Sequence, residues 1–322
     1  SQWWNRTVSR RGKIRLAPML ASLYEGTVGI ALLMGAAHRI TGNPRYQTGA
    51  REALKPLLHD FRDDWRRPRA QRFLGVGGVV GYSSLLYACR HLMAWGDANE
   101  AAELVERLHD LISPEEIARD DQFDVISGSA GLILNLIPSD HAAANEASVR
   151  KANWAGEHLL RHFPAPTKNW QPGQASPLGG FSHGAAGFAL ALHRLARATG
   201  DSRYVSEGER WEAFQESLLH PQTGHYRDLR VESNRQADWN GNAMCSWCHG
   251  AAGIGLAWSE KGKTTEATQA LQTMNACPRE EAHDFLCCGN MGRIACGFTT
   301  ATRLGESDIA QTLRARAQEL LP

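Results

Sequence analysis

A Gly-x-x-Gly motif recurs six times along the 322-residue chain, at intervals of 39 to 66 residues. Almost every motif is followed by a run of small and aliphatic residues, such as 188–192. A run that is apolar on nearly all sides is typical of a buried helix, and polar stretches with helical spacing lie between the runs. No segment shows clear strand alternation, so the pattern predicts an all-α protein built from helical hairpins. The first glycines of the motifs are Gly26, Gly78, Gly128, Gly184, Gly250 and Gly289.

The composition of the apolar helices indicates how the hairpins are arranged. Hairpins stack either into an open solenoid or into a closed ring of inner and outer helices. The apolar runs are too rich in alanine and aliphatic residues to line a solvent-facing groove, which favours the ring. We therefore predict one domain over residues 1–322, a closed α/α toroid whose Gly-x-x-Gly turns converge at one end. Glycine fits there because crowded helix N-termini leave no room for a Cβ atom; plain helix packing is the alternative explanation.

Charge and hydropathy exclude two classes of function. The chain has 35 Lys and Arg residues against 34 Asp and Glu residues, and a net charge of +1 gives no basic surface for nucleic acid. Its apolar runs are far shorter than a membrane span requires, so we expect no transmembrane segment. No signal-peptide pattern opens the chain. Because the sequence starts at Ser1 without an initiator methionine, we expect it to be a fragment of a longer protein.

The cysteines cluster in the last quarter of the chain. Six of the seven lie between residues 245 and 296, at Cys-x-x-Cys and Cys-Cys spacings. An odd count with this clustering does not resemble a secreted disulfide framework. It favours metal binding in a reducing compartment, which predicts a cytoplasmic protein.

The residues that precede the turns carry the reactive groups. Cys248 precedes the fifth Gly-x-x-Gly turn by two residues, and Cys287 and Cys288 precede the sixth. His183 precedes the fourth turn and Asp124 leads into the third. If the turns converge, these side chains face one cavity. Three thiolates brought together there would hold a zinc ion and leave one coordination position open.

At these motifs the chain resembles the cyclases of lanthipeptide biosynthesis, the LanC family and the C-terminal domain of class II LanM synthetases. The matching stretches are 23–32, 124–131, 179–184, 247–250 and 287–289. The resemblance implies a double-layered α/α toroid with one zinc ion at one end. It also implies that residues 1–322 are a single cyclase domain, with a dehydratase domain upstream if the chain is part of a bifunctional LanM synthetase.

The resemblance also implies the metal ligands. Cys248 and Cys287 match the two zinc-binding cysteines of the family. Cys288 stands where most members have a histidine, which resembles the Cys-Cys-Gly subgroup of LanM enzymes, whose zinc is held by three cysteines. One alternative stays open, a closed and purely structural zinc site formed by Cys245 together with these three. The remaining cysteines are expected to be small buried core residues, namely Cys89, Cys277 and Cys296.

Four further positions are compared with the family. His183 matches its candidate acid/base histidine and Asp124 its active-site aspartate, although each could instead cap the following helix. Met244 and His249 stand where the stand-alone cyclases have an arginine and a tyrosine, so those two roles are not carried over. His249 and Trp247 are candidates for contact with the substrate or for support of the metal ligands, and a structural hydrogen bond is the alternative for His249.

The implied substrate is a ribosomal precursor peptide that contains dehydroalanine or dehydrobutyrine and free cysteines. A cysteine thiolate adds to the β-carbon, which forms a lanthionine or methyllanthionine thioether ring. Two other functions stay open. One is a LanC-like enzyme that adds glutathione to dehydroamino acids, against which the Cys-Cys-Gly sequence argues. The other is a non-catalytic, zinc-stabilised helical binding module.

Overall fold

The computed structural model describes residues 3–8, 12–63, 75–96, 101–139, 144–166, 177–230, 241, 245–278 and 284–320. The chain divides into two compact units, Ser1–Leu136 and Ile137–Pro322. The described residues of the first unit form strands β1 (Trp4–Val8) and β2 (Ile14–Pro18) and helices α1 (Thr27–Thr41), α2 (Pro44–Asp63), α3 (Tyr82–Ala94), α4 (Ala102–Leu111), α5 (Pro114–Ile117) and α6 (Ser129–Leu136). Those of the second form α7 (Glu146–His162), α8 (Ala185–Thr199), α9 (Ser202–Ser217), α10 (Ala251–Lys261), α11 (Thr264–Ala276), α12 (Asn290–Leu304) and α13 (Ser307–Glu319).

Helical hairpins build the second unit, as predicted. Helices α8, α10 and α12 are each followed by a helix that packs against them, which gives the pairs α8–α9, α10–α11 and α12–α13. The first members also pack on one another in order, α8 on α10 and α10 on α12. Ten of the fifteen residues of α8 are buried, and apolar burial of this kind drives the packing. Left-handed glycines end the first members, for example Gly200 with φ +73°, because glycine adopts that conformation without steric cost.

The first unit is organised around α1 and α3. Helix α1 packs on α2 and α3, and α3 packs on α4 and α6. The core between these helices includes Val28 and Ala31 of α1 and Leu85 and Leu92 of α3, all fully buried. The hairpin architecture predicted from the repeat is therefore also present here, in the pairs α1–α2 and α3–α4.

Five of the six Gly-x-x-Gly helices begin directly after the first glycine of the motif. The second motif differs, because α3 begins at Tyr82, after its second glycine. Its first glycine, Gly78, lies against the third turn instead. The Gly78 amide donates to the Val125 carbonyl at 3.1 Å, and a Cβ atom on Gly78 would lie 2.7 Å from the Gly131 Cα. This backbone contact brings the second and third turns together within the first unit.

The prediction that the chain lacks strands was wrong for its first residues. Strands β1 and β2 pair in antiparallel register, with Arg6 opposite Leu16. Apolar and polar residues alternate in a recognisable way only where one face of a strand is buried. Here Ile14 and Leu16 are 61% and 72% exposed, so these short strands carry too little alternation to be read from the sequence.

Candidate functional site

Three turns of the second unit meet at the backbone of Cys248. Its carbonyl oxygen accepts hydrogen bonds from the amides of Phe181 and Ser182, at 3.0 and 3.1 Å. Its own amide donates to the carbonyl of Cys287 at 3.3 Å. The fourth, fifth and sixth turns are thereby joined, so the predicted convergence is confirmed for these three.

The glycines of the motif permit this close approach. A Cβ atom on Gly253, the second glycine of the fifth turn, would lie 1.9 Å from the carbonyl oxygen of Trp247 and 2.7 Å from the Cβ of Phe181. No such contact is sterically possible. A second support comes from helix α9, where the fully buried Gln215 accepts a hydrogen bond from the Gly180 amide at 2.7 Å. The position of the Cys248 loop is therefore set by backbone packing and by one buried amide.

The Cys248 thiol is buried beside a second thiol. Only 3% of Cys248 is exposed, and its Sγ lies 3.2 Å from the Ser246 hydroxyl. Burial, and after it the neighbouring Cys287 thiol, raise the pKa of Cys248 to about 11, although the Ser246 hydroxyl and Arg230 oppose the rise. Without a cation, this thiol stays protonated at neutral pH. Two adjacent thiols in such a place fit a zinc ion, whose charge ionises the thiols that bind it.

Cys287 and Cys288 are half-buried, and neither belongs to a disulfide. In the structure the side chain of Cys287 lies next to that of Cys248. Cys288 is the next residue in the chain after Cys287. Among the described residues, His225, Cys245 and Cys277 form the group in which three metal-ligand atoms lie within 4.8 Å of one another. The predicted ligands Cys248, Cys287 and Cys288 do not form a second group of this kind among the described residues. The assignment of Cys288 as the third ligand stays a prediction.

Two imidazole rings lie together beside the thiols. The rings of His183 and His249 stack with centroids 5.3 Å apart and an interplanar angle of 19°. His249 is 6% exposed, and burial together with the charge of Arg230 lowers its pKa to about 4. The ring of His249 is therefore neutral at pH 7. Among the described residues, its buried Nδ1 has no hydrogen-bond partner, although the backbone at Gly179 bonds to the ring.

An ion pair that the sequence analysis missed lies next to these groups. Arg230 and Asp228 are joined at 2.7 Å between Nη2 and Oδ2, and Asp228 is 4% exposed. The side chain of Arg230 is 39% exposed, and its charge acts on Cys248, Cys287 and His249. The two residues lie outside every Gly-x-x-Gly turn. The repeat therefore gave no signal for Asp228 and Arg230. Met244, which stands where the stand-alone cyclases have an arginine, lies outside the described residues.

Asp124 lies in the first unit and is 8% exposed. Its Oδ1 accepts a hydrogen bond from the Ser127 amide at 2.7 Å, within the turn that leads into α6. This contact agrees with the capping alternative. The catalytic role of Asp124 stays a prediction. Trp247 is half-buried and packs on Phe181, with ring centroids 5.8 Å apart.

The other cysteines divide into two groups. Cys89 and Cys296 are buried, and burial raises the pKa of each to about 12, so their assignment to the core is confirmed. The assignment of Cys277 to the core was wrong. Cys277 follows the last residue of α11 and forms a disulfide with Cys245. Because the sulfur of Cys245 is bonded there, the structure does not contain the closed four-cysteine site considered above.

The family model described as "Lanthionine synthetase C-like protein" matches residues 17–322. No curated protein matches the chain significantly. In the described part of the chain, no helix combines the length and hydropathy that a membrane span requires.

Among solved structures, a nisin cyclase is similar to the chain with a TM-score of 0.69 and 14% sequence identity. The match covers 93% of this chain and 81% of that one. It shows the fold, so the predicted α/α toroid is confirmed. A weaker likeness, with a TM-score of 0.46 and 13% identity, is to an unsaturated glucuronyl hydrolase specific for heparin, over 94% of this chain and 91% of that one. Since the family model matches all but the first sixteen residues, the chain belongs to the lanthionine synthetase C-like family.

Proposed function

We propose that this protein is a zinc-dependent cyclase that adds cysteine thiols of a precursor peptide to its dehydroalanine or dehydrobutyrine residues. The products are lanthionine and methyllanthionine thioether rings. The observation that carries this proposal is the juxtaposition of the Cys248 and Cys287 thiols where three turns meet. Family membership supports thioether chemistry of this kind, and the name nisin cyclase belongs to a protein that shares the fold.

The metal would be held by Cys248, Cys287 and Cys288, leaving one position for the substrate thiol. When bound, the zinc ion supplies the positive charge that ionises thiols at neutral pH. Three thiolates give this site a net charge of −1, and the guanidinium of Arg230 offsets part of it. The buried ion pair with Asp228 holds that guanidinium in place.

The addition step needs a proton donor as well as a thiolate. The substrate sulfur forms a bond to the β-carbon, the carbon–carbon double bond is lost, and the α-carbon takes up a proton. Mass is conserved, because a thiol and an alkene become a thioether. His183 is the proposed donor, since an imidazole ring is the side chain that most often transfers protons in general acid–base catalysis. Its stacking partner His249 is neutral at pH 7 and would orient the ring without adding charge.

Asp124 and Trp247 also take part in the proposed reaction. Asp124 would orient the acid/base group or accept the thiol proton, as the family resemblance implies. Trp247 would contact the peptide together with Phe285, which precedes the Cys287 motif and is 63% exposed. The Cys-Cys-Gly sequence at 287–289 supports membership of the LanM subgroup, with a dehydratase domain upstream in the full synthetase and a cytoplasmic location.

A dehydrated, cysteine-containing peptide tests the proposal. Incubation with the reduced, zinc-loaded protein is expected to remove the free thiols of the peptide without a change in mass, as read by alkylation and mass spectrometry. Cys248→Ser should abolish this reaction. His183→Asn should slow it by about 10²-fold or more, whereas His220→Asn in a different turn should leave it unchanged.

Two other results would reject the cyclase. If glutathione is included in the incubation and the peptide gains its mass without forming rings, the protein is a glutathione-adding enzyme. If the peptide binds but its thiols persist, and His183→Asn changes nothing, the protein is a binding module.

A further inference from the structure

A second cluster of metal-ligand atoms contains none of the three predicted zinc ligands. The Nδ1 of His225 is 3.8 Å from the Sγ of Cys245, which is joined to Cys277. These three ligand atoms lie within 4.8 Å of one another. None of the three residues precedes a Gly-x-x-Gly turn directly, and none belongs to the proposed cyclase site.

The three side chains come from separate segments that are already anchored to one another. His225 lies in the turn after α9, where the carbonyl of Gly224 accepts a hydrogen bond from the buried Thr273 hydroxyl of α11 at 3.0 Å. Cys277 follows the last residue of the same helix. Cys245 lies three residues before Cys248, and the Cα atoms of Cys245 and Cys277 are 6.5 Å apart. The Thr273–Gly224 hydrogen bond therefore holds the turn that carries His225 against the helix before Cys277 independently of the disulfide.

The distances suit a tetrahedral ion. With zinc–sulfur bonds of about 2.3 Å and zinc–nitrogen bonds of about 2.0 Å, two ligands of one ion lie roughly 3.5 to 3.8 Å apart. The His225–Cys245 separation of 3.8 Å already has this value. A disulfide alone does not require an imidazole nitrogen at that distance. Once the sulfur–sulfur bond is broken, rotation of the Cys277 side chain would open the space for an ion.

The charge and the surroundings also suit a metal. Two thiolates and a neutral imidazole on a divalent ion give no net charge, so the desolvation cost is small even though Cys245 is 7% exposed. Cys277 lines a cavity of about 250 Å³, together with Asn290 and Arg293 of α12. The cluster therefore borders a cavity on the side of Cys277.

We propose that His225, Cys245 and Cys277 form a second site for a zinc-type divalent ion in the reduced protein, with water in the fourth position. A dithiol reductant supplies the two electrons and two protons that convert the disulfide into two thiols, and becomes a disulfide itself. Metal binding then releases the two thiol protons. The site would fix the segment that carries Cys248 to the end of α11. Oxidation of the pair would expel the ion.

Metal stoichiometry of the full chain tests this proposal without any measurement of cyclisation. A Cys248→Ser/Cys287→Ser/Cys288→Ser variant removes the proposed cyclase site. After reduction and exposure to Zn²⁺ or Co²⁺ alone, it is expected to bind one ion per chain. Adding His225→Asn should weaken that binding by at least about 10-fold, whereas the matched control His220→Asn should not change it. A reduced triple variant that binds no ion, or binding that His225→Asn leaves intact, would overturn the proposal.

The wild-type chain provides a measurement that does not depend on the folding of variants. After reduction and metal removal, Cys245 and Cys277 are alkylated and the labelled peptides are quantified by mass spectrometry. Added Zn²⁺ is expected to slow the labelling of both residues. Equal labelling rates with and without Zn²⁺ would contradict the second site. Loss of this site would leave the cyclase proposal standing, since Cys248 and Cys287 are not part of it.

Discussion

Cys248 contributes to the site through its backbone as well as its thiol. The thiol was predictable from the Cys-x-Gly sequence and the resemblance. The backbone contribution was not, because hydrogen bonds to Phe181 and Cys287 join residues far apart in sequence. Asp228 and Arg230 were missed for the same reason. The fold of their loop places them near the two thiols, and no sequence motif accompanies these two residues.

Arg230 carries a charge that acts on both Cys248 and Cys287. We expect Arg230→Met to weaken zinc binding at the cyclase site by roughly 3- to 10-fold, because an anionic three-thiolate site loses a nearby cation. Arg230→Lys should retain most of the affinity. Competition with a chromophoric chelator measures the change, and Arg227→Met is the control in the same loop. Equal affinities for the Arg230 and Arg227 variants would count against this role.

At the scale of the elements, the Gly-x-x-Gly motif predicted where helices begin because the signal is local. Five helix starts follow the motif as expected, and α3 departs because Gly78 packs on the third turn. The disulfide between Cys245 and Cys277 could not be predicted in this way. Their sequence separation is 32 residues, and the pairing depends on how the turn after α9 and the end of α11 pack.

Two glycines of α10 differ in what an added Cβ atom would meet: backbone at Gly253 and a side chain at Gly255. Gly253→Ala is expected to lower the free energy of unfolding by about 3 kcal/mol, because the new Cβ would overlap the Trp247 carbonyl. Gly255 is the matched control, since its Cβ would meet the Ala270 side chain at 3.3 Å. Gly255→Ala should change stability by no more than about 1 kcal/mol. Urea unfolding followed by circular dichroism measures both, and similar losses would refute the distinction.

At the scale of the whole molecule, stability should depend on a buried charge network in the second unit. Glu212 of α9 is 7% exposed and lies 2.6 Å from both His193 of α8 and Lys261 of α10. Lys263 contacts the same carboxylate at 3.3 Å. Burial raises the pKa of Glu212, but the hydrogen bonds from His193 and Lys261 outweigh it and lower the pKa to about 2.

This shift predicts how the stability of the protein changes with pH. Because the folded-state pKa lies below that of the unfolded chain, the unfolded chain binds more protons between about pH 4.5 and pH 2. The contribution of Glu212 is therefore complete above that window and is lost as the pH falls through it.

Glu212→Gln is expected to cost about 2 to 3 kcal/mol at pH 7 and little near pH 2. Urea unfolding at a series of pH values measures the difference between wild type and variant. Glu209→Gln, an exposed change on the same helix, is the control. A difference that does not vary with pH would exclude this role for Glu212.

The meeting of three turns at Cys248 has a consequence for the order of folding during synthesis. Phe181 and Cys248 leave the ribosome well before Cys287, and α10 and α11 lie between the last two turns. The amide of Cys248 gains its partner only when the Cys287 carbonyl has emerged. A nascent chain that ends between those two turns therefore carries the Cys248 thiol without its neighbour Cys287, and the pair of thiols is complete only once the sixth turn folds against the fifth.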